Sequence, residues 1–306
     1  MKITIVGTGR VGSAIAFAMT INPLASELVL VNRSRERAEG DAMDLSHASA
    51  LQNSNMAITA GDIADSSGSD VIVFTASVPM EGLGETKSRL DMAVHNIPML
   101  RDWIPKLAQA SPDAVIIMVT NPVDAMTFAT IQLSGFPAAR VIGTGTLVDS
   151  VRYRSLLSKE LQIHSEDIRA YILGEHGDTQ FAAESIAMTG GEQFYPTDTS
   201  QRLYEQTVNM GYEVYRRKGH TCYGIALATT TIVDSIAYDL RHTMPVSVLI
   251  EDFLDVRDVC LSLPAVIGRQ GVTRVLHPEL SQQEKASFRH CADVVGQTIA
   301  KLDLAL

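Results

Sequence analysis

The chain has 306 residues, of which 46% are hydrophobic and 20% charged, so it can bury a core and is not expected to be disordered or fibrous. Its 25 Lys and Arg against 35 Asp and Glu give a net charge of −10, which disfavours binding to nucleic acid or to an anionic membrane surface. The longest apolar stretches fall well short of a membrane span, and a strand-like run from Lys2 makes a signal peptide unexpected. The three cysteines show neither CxxC spacing nor Cys/His pairs, so we expect no disulfide framework, no metal site and a cytoplasmic location.

Short apolar runs rich in valine and isoleucine recur through the first half of the chain, and they are almost continuous rather than alternating. Such runs are typical of strands buried on both faces, and the intervals between them are long enough for crossover helices. We therefore predict an α/β fold with a doubly wound parallel sheet. The predicted strands cover residues 3–6, 28–31, 71–74, 115–119 and 140–142, with residues 56–59 as a further short strand.

The pattern changes after about residue 145 to longer helical segments with scattered strands. We predict helices over residues 148–161 and 203–217, a strand over 182–187 and a hairpin turn at Gly190-Gly191. A domain boundary is placed near residues 143–146, with no flexible linker or internal repeat. The expected organisation is therefore a dinucleotide-binding domain over residues 1–144 and an α+β substrate domain over residues 145–306.

A glycine-rich loop follows the first predicted strand and precedes a helical segment. Glycines allow a tight turn, a close backbone approach to a pyrophosphate and close packing of strand and helix, while the helix N-terminus favours the negative charge. Because the loop lies in the strand–loop–helix context that this mechanism requires, a Rossmann-type dinucleotide site is favoured over a simple turn. The motif residues are Gly7, Gly9, Arg10, Val11 and Gly12.

Asn32 occupies the position where NAD-binding chains carry an acidic residue that hydrogen-bonds the adenosine ribose. Without a carboxylate, repulsion toward a 2′-phosphate is lost, and a guanidinium can bind that phosphate through two hydrogen bonds. Asn32-Arg33-Ser34, followed by Arg37, is similar to the phosphate-binding loop of NADP-dependent shikimate dehydrogenases. We therefore favour NADP over NAD as the cofactor; the alternative is a solvated charged loop beside a tolerant NAD site.

Four further segments carry side chains suited to chemistry. They are Asn121-Pro122-Val123-Asp124, Asp149-Ser150-Val151-Arg152, Gly174-Glu175-His176-Gly177-Asp178 and residues 218–225. In their order after the glycine loop they resemble the L-lactate/malate dehydrogenase family, and the resemblance covers essentially the whole chain. It implies an NAD(P)-dependent oxidoreductase that interconverts an L-2-hydroxy acid and its 2-oxo acid, as a homodimer or homotetramer.

The resemblance implies a role for individual side chains in these segments. His176 is the proton donor, because imidazole gives and takes protons near neutral pH, and Asp149 fixes its tautomer and stabilises the imidazolium. Arg152 grips the substrate carboxylate with its two-pronged fork. Asn121, in a candidate cis peptide bond with Pro122, helps to hold the substrate oxygen. The cofactor is contacted by Thr75, Ala76, Ser77, Val119 and Asn121, and Ile225 packs on the nicotinamide.

The segment after Ser77 departs from the family pattern, in which a loop carries a specificity residue and then a catalytic arginine. Aligned on the following Leu-Asp pair the arginine is Arg89, whereas aligned on the preceding Gly-Glu-Thr the residue is Lys87. We favour Arg89, because in-plane donation to the reacting carbonyl suits arginine better. Counted from Ala76, the specificity position is Met80.

Met80 favours a substrate with a single carboxylate. Malate dehydrogenases resemble one another in an arginine at this position, which pairs with the second carboxylate of oxaloacetate, and beside Met80 that carboxylate would be buried without a partner. Thr221 also resembles lactate dehydrogenases. We predict pyruvate or a bulkier monocarboxylic 2-oxo acid as the substrate. The alternatives are a malate dehydrogenase in which Lys87 replaces the missing arginine and, from another class, a non-catalytic nucleotide-binding redox sensor.

Arg154 and Arg169 raise the question of an effector site. Bacterial lactate dehydrogenases activated by fructose 1,6-bisphosphate resemble this chain at Arg154 and carry a histidine where it has Arg169. Two arginines clustered across a subunit interface would bind a phosphate. The simpler interpretation, which we favour, is two surface arginines on helical faces.

Overall fold

The structure is a computed structural model that describes residues 1–52, 55–78, 89–194 and 197–304, with the side chains of residues 89 and 90 outside the description. Its first half alternates strands and helices, as the short apolar runs predict. The elements are β1 (Lys2–Val6), α1 (Arg10–Ile21), β2 (Glu27–Val31), α2 (Arg35–Ala50), β3 (Ala57–Gly61), β4 (Val71–Phe74), α3 (Arg89–Ala110), β5 (Val115–Met118), α4 (Val123–Ser134) and β6 (Val141–Gly143).

The six strands of the first half form one parallel sheet in the order β6-β5-β4-β1-β2-β3. The chain starts in the middle of this sheet, extends to one side through β2 and β3, and then returns to extend to the other side from β4. In open parallel sheets of this kind, ligands bind at the carboxyl ends of the strands where the strand order reverses. Here that point lies between β1 and β4.

Both faces of the parallel sheet are buried, which explains why its strands are almost continuously apolar. Successive side chains of a strand point to opposite faces. Ile5 of β1 lies in a buried cluster that includes Ile15 of α1. Its neighbour Val6 lies in a second cluster, which includes Leu100 of α3 and Met126 of α4. Helices therefore cover the sheet on both sides, and the predicted α/β class is confirmed.

The second half adds helices, short strands and a long antiparallel hairpin. Among the described residues, no helix is long and apolar enough to span a membrane. The elements are α5 (Leu147–Leu161), β7 (Ile168–Arg169), β8 (Ile172–Leu173), β9 (Phe181–Ala182), β10 (Met188–Thr189), β11 (Glu192–Gln193), α6 (Asp198–Lys218), α7 (Tyr223–Ala237), β12 (His242–Ile250), β13 (Val259–Gly268), β14 (Gly271–Val275) and α8 (Gln282–Ile299).

Two expectations for the second half are wrong. Strands β12 and β13 are the longest pair in the sheet, where the pattern indicates mainly helices; Pro245 faces Pro264 across this pair, and proline disfavours a strand assignment. The strand predicted over residues 182–187 ends at Ala182, and a 3-10 helix occupies Glu184–Ile186. The hairpin at Gly190-Gly191 is confirmed, because β10 and β11 pair antiparallel around two glycines with φ angles of 54° and 90°.

The hairpin of the second half continues the parallel sheet of the first half. Ser247 of β12 pairs with Gly143 of β6, which makes one sheet of nine strands. A Cβ atom at Gly143 would lie 2.3 Å from Thr127 Oγ1 of α4 and 2.8 Å from Ser247 Cβ, so only glycine permits this approach. The junction brings α4, β6 and β12 together beneath the carboxyl ends of the strands. The division into domains at residues 144 and 145 stays a prediction.

Candidate active site

The glycine loop between β1 and α1 has the shape of a dinucleotide cradle. Gly7 has a φ of 97°, and a Cβ there would lie 2.6 Å from the backbone nitrogen of Ala76. A Cβ at Gly12 would lie 1.8 Å from the Gly7 carbonyl oxygen, so strand and helix pack too closely for any side chain. Gly9 precedes α1, and a Cβ at this position would meet no described atom within 4 Å. The start of α1 therefore faces open space that fits a pyrophosphate.

Thr75 and Arg10 tie this loop to neighbouring segments. The Thr75 hydroxyl, just after β4, donates to the carbonyl oxygen of Gly7 at 2.7 Å, which joins the ends of β1 and β4 at the reversal of strand order. Arg10 Nη1 donates to the carbonyl oxygen of Gly219 at 3.5 Å, at the end of α6. The predicted cofactor residues that follow β1 therefore lie next to those that follow β4.

Asn32 at the end of β2 has a local structural role that the sequence did not reveal. Its amide Nδ2 donates to Thr8 Oγ1 at 2.6 Å, and its Oδ1 accepts from the Ser34 backbone N–H at 3.1 Å. Ser34 in turn caps α2, because its hydroxyl accepts from the Arg37 backbone N–H at 3.4 Å. The side chains of Arg33 and Arg37 are exposed beside this capped helix start. The segment is therefore a structured turn with exposed Arg33 and Arg37, while the third exposed arginine, Arg35, pairs with Glu39.

The predicted proton donor, its partner and the carboxylate-binding arginine form one hydrogen-bonded cluster. Asp149 lies in the first turn of α5, and its Oδ2 is 2.7 Å from His176 Nδ1. Its other oxygen, Oδ1, accepts from Arg152 Nη1 at 2.9 Å, one helical turn farther along the same face. Asp149 is 3% exposed, His176 28% and Arg152 21%, so the buried carboxylate holds two side chains that reach toward solvent.

The electrostatics of this cluster favour an ionised Asp149. Burial alone would raise the pKa of its carboxyl, but the charge and hydrogen bond of His176 and the charge of Arg152 outweigh burial, so the pKa is lowered. The Asp149 carboxylate is thus available to stabilise an imidazolium at His176.

Backbone contacts hold the segment around His176, in addition to the hydrogen bond between the His176 ring and Asp149. Gly174 exchanges two backbone hydrogen bonds with Ser262 of β13, at 3.1 and 2.8 Å. The backbone N–H of His176 donates to Asp124 Oδ2 at 2.8 Å. Gly174 has a φ of 86°, and a Cβ there would lie 2.5 Å from the Sγ of Cys291 in α8. The segment of the proton donor is therefore held by hydrogen bonds to α4, α5 and β13, and at Gly174 it lies too close to α8 for a side chain.

Asp124 is a functional candidate that the sequence analysis did not assign. It is 3% exposed, and its Oδ1 accepts from the Ser247 hydroxyl at 2.6 Å. Burial raises the pKa of its carboxyl to about 6, although the hydrogen bonds from Ser247 and His176 lower it. The signal in the sequence was its place in the segment Asn121-Pro122-Val123-Asp124, where only Asn121 was assigned a role.

Asn121 lies at the same edge of the sheet, and its peptide bond with Pro122 is cis, as predicted. A second buried residue that the sequence did not reveal, Asn96 of α3, connects Asn121 to the segment after β4. Asn96 Nδ2 donates to the Asn121 carbonyl oxygen at 3.0 Å, and its Oδ1 accepts from the Val78 backbone N–H at 2.9 Å and from the Ser77 hydroxyl at 3.4 Å. Thr120, next to Asn121, donates its hydroxyl to the Ala76 carbonyl oxygen at 2.7 Å.

A cleft of about 640 Å³ is lined by several of the side chains assigned to cofactor and substrate, whereas Gly7, Gly12 and Asn32 are not among its lining residues. Met80 and the alternative Lys87 lie outside the described residues, and Arg89 begins α3 with its side chain outside the description. The cleft is lined, among others, by Val11, Val119, Asn121, Arg152, Arg154, His176, Thr221 and Ile225.

The expectation that both arginines lie on helical faces is wrong for Arg169 and correct for Arg154, and the effector site itself stays a prediction. Arg154 lies on α5 and is half-buried, and its Nε has no hydrogen-bond partner among the described residues. Arg169 is exposed on the short strand β7. Burial lowers the pKa of Arg154, and the nearby charge of Arg169 lowers it further, so the two cations are neighbours within one chain.

Comparison with known proteins decides the family. Models described as the NAD binding domain and the alpha/beta C-terminal domain of lactate/malate dehydrogenase match residues 1–143 and 146–303. The chain belongs to the lactate/malate dehydrogenase family. It is 38% identical to the L-lactate dehydrogenase of Moorella thermoacetica, over 99% of this chain and 98% of that protein. It is 40% identical to the L-lactate dehydrogenase of Synechococcus sp., over 98% of both.

Solved structures agree with this assignment. The minor L-lactate dehydrogenase of Enterococcus mundtii superposes with a TM-score of 0.94 at 31% identity and covers 99% of each chain. A lactate dehydrogenase from a Medee basin deep-sea metagenome library gives a TM-score of 0.93 at 31% identity over 98% of each chain. The predicted lactate dehydrogenase-like oxidoreductase is confirmed, and the relatives do not favour the malate dehydrogenase alternative. The cofactor is a nicotinamide dinucleotide, and the preference for NADP stays a prediction.

The buried Asp124 carboxyl predicts a pH dependence of stability. Because its pKa rises from 3.8 to about 6 on folding, the folded protein holds this proton more tightly than the unfolded chain does. Its contribution to the free energy of unfolding is therefore present below about pH 4 and lost as the pH rises through about 6, by about 3 kcal/mol. Urea unfolding of the wild type and Asp124→Asn between pH 4 and 8 measures this, and the variant should gain relative stability as the pH rises. If the free energies of unfolding of the wild type and Asp124→Asn differ by the same amount from pH 4 to pH 8, the raised pKa of Asp124 is contradicted.

Proposed function

We propose that this protein catalyses the nicotinamide-dependent interconversion of an L-2-hydroxy monocarboxylic acid, L-lactate or a bulkier analogue, and its 2-oxo acid. The observation that carries the proposal is the Arg152–Asp149–His176 cluster, whose Arg152 and His176 line the same cleft as Asn121 and Ile225. The relatives support the same reaction class, since those at 38% and 40% identity are named L-lactate dehydrogenase.

In this proposal each side chain of the cluster has a separate task. When bound, the nicotinamide supplies the hydride. Arg152 has donors beyond the Nη1 that contacts Asp149, and these bind the substrate carboxylate. Because Nδ1 of His176 is held by Asp149, the proton for the substrate oxygen comes from Nε2. Asn121 orients that oxygen, and Arg89 polarises the carbonyl.

Replacing the proton donor separates an enzyme from a nucleotide-binding redox sensor. We expect His176→Asn to lower kcat for pyruvate reduction by about 10³-fold, because general acid catalysis is lost. The affinity for the reduced cofactor, measured by fluorescence titration, should stay within a few-fold of the wild type. His290→Asn, an exposed histidine of α8, is the matched control and should keep the wild-type rate. Full turnover in His176→Asn would show that the proton donor is misassigned.

The substrate is proposed to carry one carboxylate, with Met80 and Thr221 beside its side chain. Initial rates with pyruvate, 4-methyl-2-oxopentanoate and oxaloacetate, each with NADH and NADPH, test this directly. We expect kcat/KM for one of the monocarboxylic acids to exceed that for oxaloacetate by about 100-fold, because the second carboxylate would be buried without a partner. A higher kcat/KM for oxaloacetate would overturn the role of Met80 and identify Lys87 as the ligand of that carboxylate.

For the cofactor we propose a preference for NADP, supported by the missing carboxylate at Asn32 and by the exposed Arg33 and Arg37. Asn32→Asp should shift the ratio of kcat/KM from NADPH toward NADH. The substitution leaves an acceptor for the Ser34 N–H, and Thr8 can donate its hydroxyl to the new carboxylate, so the turn is expected to persist. Thr8→Val is a control that removes the Asn32 contact without adding charge. If the ratio of kcat/KM for NADPH to that for NADH is unchanged in Asn32→Asp, the proposed role of Asn32 in the preference for NADP is contradicted.

A homodimer or homotetramer is proposed as the assembly. Helices α1 and α7 together expose a groove of large apolar side chains, Phe17, Ile21, Tyr223 and Leu227, each at least half exposed. A second copy of the chain is the occupant we propose for it, because exposed apolar surface of this extent is uncommon on monomers. Light scattering after gel filtration of the wild type and of Leu227→Glu measures the assembly, and a monomeric wild type would contradict it. A cytoplasmic location and a boundary between domains at residues 144 and 145 are proposed on the sequence alone.

An effector phosphate is proposed at Arg154 and Arg169. The observation that favours it is the partly buried Arg154 guanidinium, whose Nε has no hydrogen-bond partner among the described residues and which lies near Arg169 as well as near the Glu166 carboxylate. Initial rates with and without fructose 1,6-bisphosphate, in the wild type and Arg169→Ala, test this site, and equal rates throughout would contradict it.

A further inference from the structure

A lysine that lines the candidate active-site cleft has no carboxylate partner among the described residues. Lys218 is the last residue of α6, and its side chain shares the cleft with Arg152 and Arg154. The described residues that line this cleft include no Asp or Glu. Arg152 is paired with Asp149 from behind, whereas Lys218 forms no ion pair with any residue that the structure describes. A cleft lined by charge of one sign attracts ligands of the opposite sign, so an anion is the expected partner of Lys218.

The Lys218 ammonium is held by contacts that it can exchange for stronger ones. Its Nζ lies 3.7 Å from the centroid of the Tyr223 ring and 3.4 Å from Cys222 Sγ. An aromatic face and a thiol are weak partners for an ammonium compared with a phosphate oxygen. Lys218 is exposed and its four-carbon stem is flexible, so the ammonium can reach a ligand in the cleft without a change in the backbone.

The residue after Lys218 is tied to the glycine loop. Gly219 ends α6 with a φ of 78°, and its carbonyl oxygen accepts from Arg10 Nη1 at 3.5 Å. Arg10 is the first residue of α1, where open space fits the pyrophosphate, and Ile225 is the residue assigned to the nicotinamide. Residues 219–225 therefore connect the part of the site assigned to the pyrophosphate with the part assigned to the nicotinamide.

We propose that Lys218 is a cofactor-binding residue whose ammonium contacts the pyrophosphate of the bound dinucleotide, at the phosphate on the nicotinamide side. This inference rests on the proposed function, which places the nicotinamide at Ile225. The pyrophosphate carries two negative charges in NAD and in NADP alike. The first turn of α1 supplies only the partial charge of a helix N-terminus, and no acidic residue lies in it. Arg10 and Lys218 together supply two full positive charges, which match the two phosphates.

The carboxylate of the substrate is the competing anion for Lys218. Arg152 already offers that carboxylate a planar fork, which suits two oxygens in one plane. The ammonium of a lysine is a point charge, which suits a phosphate oxygen as well as a guanidinium does. The neighbour of Lys218 in the chain contacts Arg10 of the glycine loop, which favours the pyrophosphate over the substrate.

Two variants of the full chain test the charge of Lys218, and a third is the matched control. Lys218→Met removes the charge and keeps an unbranched stem, whereas Lys218→Arg keeps the charge. Lys159→Met makes the same change at an exposed lysine of α5 that does not line the cleft. The probes are ADP-ribose, which carries the pyrophosphate without the nicotinamide, and AMP, which lacks the phosphate on the nicotinamide side.

Binding is measured by titration calorimetry for ADP-ribose and AMP, and by fluorescence titration for NADH and NADPH. In Lys218→Met the Kd for ADP-ribose should rise by about 10-fold, because a charge-assisted contact is lost, and the Kd for AMP should stay within about two-fold. The loss for ADP-ribose should shrink as the salt concentration is raised, because salt screens the exposed ammonium. Lys218→Arg and Lys159→Met should bind ADP-ribose within about three-fold of the wild type.

The outcomes separate this inference from the proposed function. An unchanged Kd for ADP-ribose in Lys218→Met, or an equal rise for ADP-ribose and AMP, would overturn the contact with the pyrophosphate. A raised KM for pyruvate at saturating NADH, with the Kd for ADP-ribose unchanged, would assign the ammonium to the substrate carboxylate instead. Binding of ADP-ribose requires no turnover, so a wild type that reduces none of the three 2-oxo acids would refute the proposed function and leave this measurement valid.

Discussion

The pairing of Gly143 with Ser247 is the constraint on which the candidate site depends. It joins an antiparallel hairpin to a parallel sheet, and it is possible only because residue 143 has no side chain between Thr127 and Ser247. The carboxyl edge of the parallel strands, which carries the nucleotide loop and Asn121, is thereby fixed to β12 and β13. The loop of the proton donor is pinned to β13 through Ser262. The two parts of the site are thus held in register by sheet hydrogen bonds.

Buried charge is concentrated where this junction meets the cleft. Asp149 and Asp124 approach His176 from two different helices, and burial acts on both in the same direction, against the ionised form. The outcome differs because Asp149 has two charged partners, His176 and Arg152, whereas Asp124 accepts mainly from neutral donors. A lowered pKa at one carboxyl and a raised pKa at the other follow from this difference in partners. Burial of the ionised Asp124 carboxyl lowers the free energy of unfolding at neutral pH. Such a loss of stability is typical of sites that serve function.

The parts of the fold that could be predicted from the sequence are those fixed by local pattern. The parallel strands are apolar because helices cover both of their faces, and the turn at Gly190-Gly191 requires two residues with positive φ, which glycine adopts readily. The hairpin β12–β13 escaped prediction, because its prolines at 245 and 264 disfavour strands while its long apolar run fits a buried helix as well as a strand. Its partner in the sheet, β6, lies about a hundred residues earlier in the chain, and no local pattern encodes that pairing.

The same distinction applies to the site residues. His176, Asp149 and Arg152 could be found because each lies in a motif whose residue types match a chemical task. Asp124 and Asn96 act through hydrogen bonds to backbone atoms of residues that are distant in sequence, and a backbone N–H or carbonyl has no signature in the sequence.

Asn32 shows the converse case, in which one side chain is expected to meet two demands. Its amide completes a turn with Thr8 and Ser34 at the start of α2, and its lack of charge is what the cofactor proposal uses. An aspartate could make the contact with Ser34 equally well, so the turn by itself does not require an asparagine. In the cofactor proposal, the uncharged residue leaves the space in front of the turn, where Arg33 and Arg37 are exposed, open to a negatively charged ligand. A ligand that brings its own negative charge to this position satisfies both cations and has no carboxylate to oppose it.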